Sequence, residues 1–245
     1  MRRFFVAPEQ IKEDLIIITG SDAHHLSRVV RVKESDEVLV FDGTGLEYTV
    51  TIEKVELDRV LGRVIAVNSS VKDPMFKVTL VQGIPKGDKM DLIIQKTTEL
   101  GVVKIVPVLT ERTVVKLEDS KKIKRQERWQ RIAQEASKQC RRSTVPEIAP
   151  IQNLKEYLEG LNEGERGIVL WEEEHSRGIK NILKKQQGDS LMVFVGPEGG
   201  FSPEEVDRIK KKGILSVTLG QRILRTETAG LVALALIQYE LGDLG

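Results

Sequence analysis

From residue 76 onward the chain alternates strand-length apolar runs with helix-period stretches, and this rhythm constrains its fold more than any other feature. FKVTLVQG (76–83), VKIVPVL (103–109), GIVLW (167–171), SLMVFV (190–195) and ILSVTL (214–219) are short and rich in β-branched residues. After the first run, Asp88 is placed to cap a helix reaching Leu100. Met90, Ile93, Ile94, Thr97 and Leu100 share one face, and Gly101 is the stop. A long helix is predicted near 120–141, with Trp129, Ile132, Ala133, Ala136 and Cys140 at helical spacing. A last helix, about 226–241, is apolar on nearly every side. Alternation of this kind predicts an α/β fold, a mostly parallel sheet flanked by helices.

Residues 1–70 keep a different rhythm. IIIT (16–19), DEVLVFD (36–42), EYTVTIEKVE (47–56) and RVLGRVIAV (59–67) read as strands, with DGTG (42–45) as a turn. One short helix is expected in SDAHHLSRVVRV (21–32), with Leu26, Val29 and Val30 on its apolar face. Short strands around one helix suggest a small β-barrel. The expected division is therefore 1–70, a linker at 71–75, and 76–245.

Several function classes are disfavoured. Cys140 is the single cysteine and there are three histidines, so no metal site is expected. The apolar run near the N-terminus is too short for a secretion signal, and LVALALI (231–237) falls short of the roughly 20 residues a membrane span needs. The expected compartment is the cytoplasm, with no membrane partner. A net charge of +1 means that any polyanion must be met by local patches.

A glycine-rich turn, VGPEGGF (195–201), follows one strand. Such turns often cradle phosphate, but here Ser202, Pro203 and Glu205 form a capped helix start, and Glu204 and Glu205 offset its dipole. Pyrophosphate would be repelled, and no GxxxxGK[ST] or strand-following GxGxxG occurs. The glycines then serve either a tight connection or the close approach of main chain to a flat heterocycle. A cationic adenosine derivative suits the nearby carboxylates, and S-adenosyl-methionine is one. A second unusual loop, LGQRILRTETAG (219–230), places apolar Ile223 and Leu224 between Arg222 and Arg225, with Thr226 as the expected helix cap. In a parallel sheet both loops would open on one crevice at the strands' carboxyl ends.

VGPEGGFSPEE, LGQRILRTETA, KGDKMDLIIQKTTELGV (86–102) and HHLSRVVRV (24–32), in that relative arrangement, resemble the bacterial methyltransferases that modify ring nitrogen 3 of a uridine in small-subunit (16S) ribosomal RNA. The resemblance spans essentially the whole chain. It implies a SPOUT-type trefoil-knotted sheet preceded by a PUA-like β-barrel that binds RNA, with S-adenosyl-methionine as cofactor, ribosomal RNA as substrate and a homodimer as the working form. It also implies cofactor contacts at Leu170, at Gly196, Pro197, Glu198, Gly199 and Gly200, and at Leu219, Gly220, Arg222, Ile223 and Leu224.

For the chemistry, an arginine is needed to stabilise negative charge spreading onto the uracil carbonyls, and Arg225 is the candidate. Glu227 either accepts the proton or caps the helix. For RNA, KKIKRQERWQRIAQEASKQCRR (121–142) holds nine Lys/Arg against two Glu. Candidate contacts are Arg2, Arg3, His25, Arg28, Arg31, Lys86, Arg112 and Arg141. Aromatic residues are scarce at 4%, which favours a folded RNA over an extended single strand. The circumference of the last helix needs burial on two sides, by a second copy or by neighbours in the same chain. Three alternatives stand beside this reading: a non-enzymatic RNA-binding assembly protein, an enzyme using a phosphate-bearing nucleotide, and a knotted methyltransferase acting on ribose or guanine.

Overall fold

The structure is a computed structural model describing residues 3–56, 58–69, 74–114, 118–162 and 164–244. Its contacts divide it into two units, Met1–Asp73 with Gln134–Val145, and Pro74–Ala133 with Pro146–Gly245. Residues 71–73 of the expected linker lie outside the described residues.

The first unit is a six-stranded sheet. Its strands are β1 (Arg3–Phe5), β2 (Ile11–Lys12), β3 (Leu15–Thr19), β4 (Glu37–Phe41), β5 (Leu46–Val55) and β6 (Arg59–Ser69). Their order is β1-β4-β5-β6-β3-β2, with β1 parallel to β4 and the other pairs antiparallel. Period-2 alternation buries Val38 and Val40 of β4 and Tyr48, Val50 and Ile52 of β5, which join Phe4, Ile16, Ile18 and Leu26 in one core. The expected helix is shorter and differently wound: α1 (Gly20–His24) runs into a π-turn, His25–Val30. Both the Arg31 and Val32 N–H groups return to the Leu26 carbonyl, and Arg31 ends the turn at φ +55°. The wider winding breaks the 3.6-residue period. Leu26 is buried as expected, but Val29 is 66% exposed rather than part of the apolar face.

The second unit contains β7 (Lys77–Gly83), α2 (Lys89–Glu99), β8 (Val102–Leu109), α3 (Asp119–Cys140), β9 (Glu147–Ile148), β10 (Gln152–Asn153), α4 (Leu154–Glu159), β11 (Gly167–Leu170), α5 (Ile179–Leu183), β12 (Ser190–Val195), α6 (Pro203–Lys211), β13 (Leu215–Val217) and α7 (Thr226–Leu241). By the contact division, α3 begins in this unit and its last turns, from Gln134, belong to the first. The sheet order is β10-β8-β7-β12-β11-β13, with β9 also on β8, and every pairing is parallel. Both faces are covered, which is why β7, β8 and β12 read as nearly continuous apolar runs. Leu154 and Leu158 of α4 and Val206 and Ile209 of α6 pack with Val81, Val169 and Phe194 on one face. On the other, Gly230 of α7 lies 3.8 Å, measured from an added Cβ, from Leu80 and Val195. The chain reaches β11 before β12, and β12 then enters between β7 and β11. This puts a topological switch at the sheet's centre, where crevices for ligands form.

Candidate functional site

Three loops leave the carboxyl ends of β11, β12 and β13, and each is held by its own polar contacts. After β11, the half-buried Glu174 pins the first loop. Its Oε1 accepts from the Ser176 hydroxyl (2.6 Å), the Ser176 N–H (2.9 Å) and the Arg177 N–H (3.1 Å), and its Oε2 from the Ser216 hydroxyl of β13 (2.6 Å). The hydroxyl bonds from Ser176 and Ser216 lead in drawing the Glu174 pKa down to about 2.

The second loop is built on close backbone approach. A Cβ on Gly196 would lie 2.7 Å from the Gly200 carbonyl carbon, and one on Gly83 would lie 2.5 Å from Pro197 Cδ. Gly200 has φ +68°, and its missing Cβ would meet Glu172 Oε1 at 2.8 Å. The expected capping box is present: Glu205 N–H donates to Ser202 Oγ (3.2 Å), and Ser202 N–H donates to Glu205 Oε2 (2.9 Å). The buried Glu205 also accepts the Glu111 N–H at 2.9 Å. The start of α6 therefore already has a carboxylate for its amides.

In the third loop Gly220 adopts φ +120°, and Ile223 is 86% exposed. Arg225, not Thr226, is the N-cap of α7, and neither it nor Glu227 caps by side chain. Thr226 instead is the first helical residue, and its hydroxyl is turned inward. A chain-local pattern could not reveal this, because both partners of that hydroxyl lie on other elements.

Together the loops enclose a cavity of about 590 Å³, within the range usual for nucleoside-sized ligands. Its lining includes Leu170, Gly196, Pro197, Glu198, Gly200, Leu219, Gly220, Arg222, Ile223 and Leu224, along with Arg225 and Glu227. Gly199 is the exception among the expected contacts. It stands outside the lining, beside Arg112, whose Nη1 donates to the Gly199 carbonyl (2.6 Å). The cavity also takes in Trp171, Glu172 and His175 from the first loop, and Lys89 from the start of α2. Lys89 lies in a quoted motif, but only the folded chain brings it to Glu198 (2.9 Å) and Glu227 (3.6 Å). Glu198 also accepts the Lys86 N–H at 3.1 Å. Burial would raise the Glu198 pKa, but Lys89 and the backbone amides outweigh it, and the net shift is downward. Glu227 Oε2 is buried without a hydrogen bond.

The basic candidates divide. Arg3 does not offer a free guanidinium: it pairs with Glu47, donates to Ser143 Oγ (2.9 Å) and lies over the Phe41 ring at 4.2 Å. Burial between these partners makes it part of the first unit's packing, contrary to the expected phosphate contact. Arg2 lies outside the described residues. Arg28, Arg31, Lys86, Arg112 and Arg141 are exposed, and His25, also exposed, meets Phe4 edge-on at 6.0 Å. Among the described residues no group of His, Cys, Asp and Glu could hold a metal ion, and no helix is long and apolar enough to cross a membrane.

A parallel sheet with a glycine-lined cavity at its carboxyl edge, and a separate β unit carrying exposed cations, defines the class: an α/β cofactor-binding enzyme with an accessory β domain. Comparison narrows this. Residues 71–238 match the family model described as RNA methyltransferase domain, and residues 18–65 match RNA methyltransferase PUA domain. The chain belongs to this RNA methyltransferase family. It is 37% identical to the Ribosomal RNA small subunit methyltransferase E of Bacillus subtilis, over 98% of this chain and 97% of that one. Among solved structures, the Ribosomal RNA small subunit methyltransferase E of Neisseria gonorrhoeae bound to S-adenosyl methionine superposes with a TM-score of 0.90 at 32% identity, covering 100% of both chains. A Legionella pneumophila methyltransferase in complex with bound cofactor SAM gives 0.83 at 31% identity, over 99% and 98%.

Proposed function

We propose that this chain transfers a methyl group from S-adenosyl-methionine to ring nitrogen 3 of a uridine in small-subunit ribosomal RNA, in the cytoplasm and as a homodimer with a knotted catalytic domain. The observation that carries this reading is the single cavity edge shared by the three loops, with carboxylates and close-packed glycines where a phosphate site would have free amides.

The residues present fit such a cofactor. Gly196 and Gly200 leave no room for side chains, so main-chain groups face the cavity, and the carboxylates of Glu198 and Glu227 complement a positive charge. When bound, the cofactor supplies a methyl group already activated by its sulfonium charge. Leu170, Leu219, Ile223 and Leu224 would cover the flat base, with the backbone of Gly196, Pro197, Glu198 and Gly200 reading its edges. Arg225, an exposed residue of the cavity lining, would neutralise charge building on the uracil carbonyls. Glu227, which lines the cavity, would take the N3 proton. Arg28, Arg31 and His25 on the first unit, with Arg2, Lys86, Arg112 and Arg141, would meet phosphates and fix the RNA's register. In α7, Val232, Leu236 and Tyr239 form an outward stripe at helical spacing, with Leu236 38% and Tyr239 66% exposed; a second copy would cover it.

The test is methylation of small ribosomal subunits from a strain lacking this enzyme, followed by mass mapping of the RNA. One new methyl on a uridine base is expected. Methylation of a ribose or a guanine, or none with active cofactor binding, would overturn the assignment.

A further inference from the structure

The cavity wall carries a cation, Lys89, that the reaction above does not use. Lys89, the first residue of α2, sits between two carboxylates from different loops: Glu198 Oε1 at 2.9 Å and Glu227 Oε2 at 3.6 Å. Glu198 is fixed a second time by the Lys86 N–H. The Glu227 side chain is only 15% exposed, and Lys89 is its one ion-pair partner among the described residues. The bond to Glu198 leads in raising the Lys89 pKa, so the ammonium stays charged at neutral pH. Three charged groups on one wall thus sum to one negative charge, and Lys89 is the term of opposite sign.

Methyl transfer changes the ligand's charge by one unit. The S–CH3 bond breaks with its electron pair staying on sulfur, the uracil nitrogen forms the new bond, and its proton goes to a base. A sulfonium enters and a neutral thioether remains, otherwise the same molecule. A wall's net charge therefore acts on the difference between donor and product, whereas shape and stacking act on both alike.

We propose that Lys89 sets the preference of the cavity for the cationic methyl donor over the neutral thioether product, by cancelling one of the two carboxylate charges held against it. The inference rests on the proposed cofactor. Lys89 lowers donor preference from what two bare carboxylates would give.

Calorimetry of the full-length protein with S-adenosyl-methionine and S-adenosyl-homocysteine tests this through the ratio of their dissociation constants. In Lys89→Met the ratio should move toward the donor by about threefold or more, the scale of one unit charge acting across a partly solvated cavity. In Glu227→Gln it should move by a similar factor the other way, and Lys89→Arg should keep the wild-type ratio. A merely structural strut would weaken both ligands by a common factor, and an unchanged ratio in Lys89→Met and Glu227→Gln overturns the proposal. Should Lys89→Met fail to fold, the same ratio measured in Lys89→Gln decides. A wild-type protein that binds neither ligand overturns the cofactor reading and this inference together.

Discussion

The Thr226 hydroxyl donates to the Gly196 carbonyl at 2.6 Å and accepts from Gln82 Nε2 at 3.0 Å. One buried oxygen thereby joins the end of β7, the glycine turn and the first turn of α7. Thr226→Val keeps the shape but removes the Gly196 carbonyl's short bond and one of the two close bonds of the buried Gln82 amide, which keeps the Gly83 carbonyl at 2.9 Å. A loss of about 1–3 kcal/mol is expected in denaturant unfolding, with weaker cofactor binding. Thr226→Ser should retain most of both.

Two glycines of the cavity should respond differently to alanine. At Gly196 the new methyl meets backbone atoms of Gly200 and Phe201 at 2.7–2.9 Å, so the turn must open and cofactor binding should be lost. Gly220 has nothing within 4 Å, and its φ of +120° alone resists the substitution. Gly220→Ala should cost about 1–3 kcal/mol of local strain and leave measurable binding. Equal loss in the two variants, by calorimetry, would contradict this account of the second loop.

Arg225→Ala should reduce turnover by about a hundredfold or more while cofactor affinity changes little. The Arg225 guanidinium has no hydrogen-bond or ion-pair partner among the described residues that its removal would disturb. Parallel losses of affinity and turnover would make it a structural residue.

Acid should loosen the first loop. The folded-state pKa of Glu174 is about 2, below its ordinary 4.5, so its contribution is complete above about pH 4.5 and disappears as pH falls toward 2. Thermal melting across that interval should fall less steeply in Glu174→Gln than in the wild type. Identical slopes would show that the Ser216 tie does not matter to stability.

Light scattering should find a dimer at micromolar concentration, and a monomer after Leu236→Glu with Tyr239→Glu. A wild-type monomer would remove the proposed role of the α7 stripe.

Much of the second unit was legible because its signals are local. Strand-length apolar runs, the Ser202–Glu205 box and Gly101 at the end of α2 each declare themselves within a few residues. The loops around the cavity were legible for the same reason, since apolar Ile223 in a polar connection is anomalous on its own. The misplaced residues depend on partners distant in sequence. Arg3 looks like a free cation until Glu47 and Ser143 arrive from 44 and 140 residues away. Thr226 looks like a cap until Gln82, 144 residues earlier, takes its hydroxyl. Lys89 is one lysine among many until Glu198 and Glu227 close on it. At Val29 the failure is of a different kind: the helical period was assumed, and a π-turn does not keep it.

The place of β12 at the middle of the sheet orders events during synthesis. Its register partner Lys77 leaves the ribosome more than a hundred residues before Ser190 does, and β7 and β11, which meet only through β12, cannot join one sheet until then. A product truncated after β11 and before β12 leaves the β12-facing edges of β7 and β11 unpaired. A product that ends between the first loop and Ser190 also lacks two of the three loops on which the cavity depends.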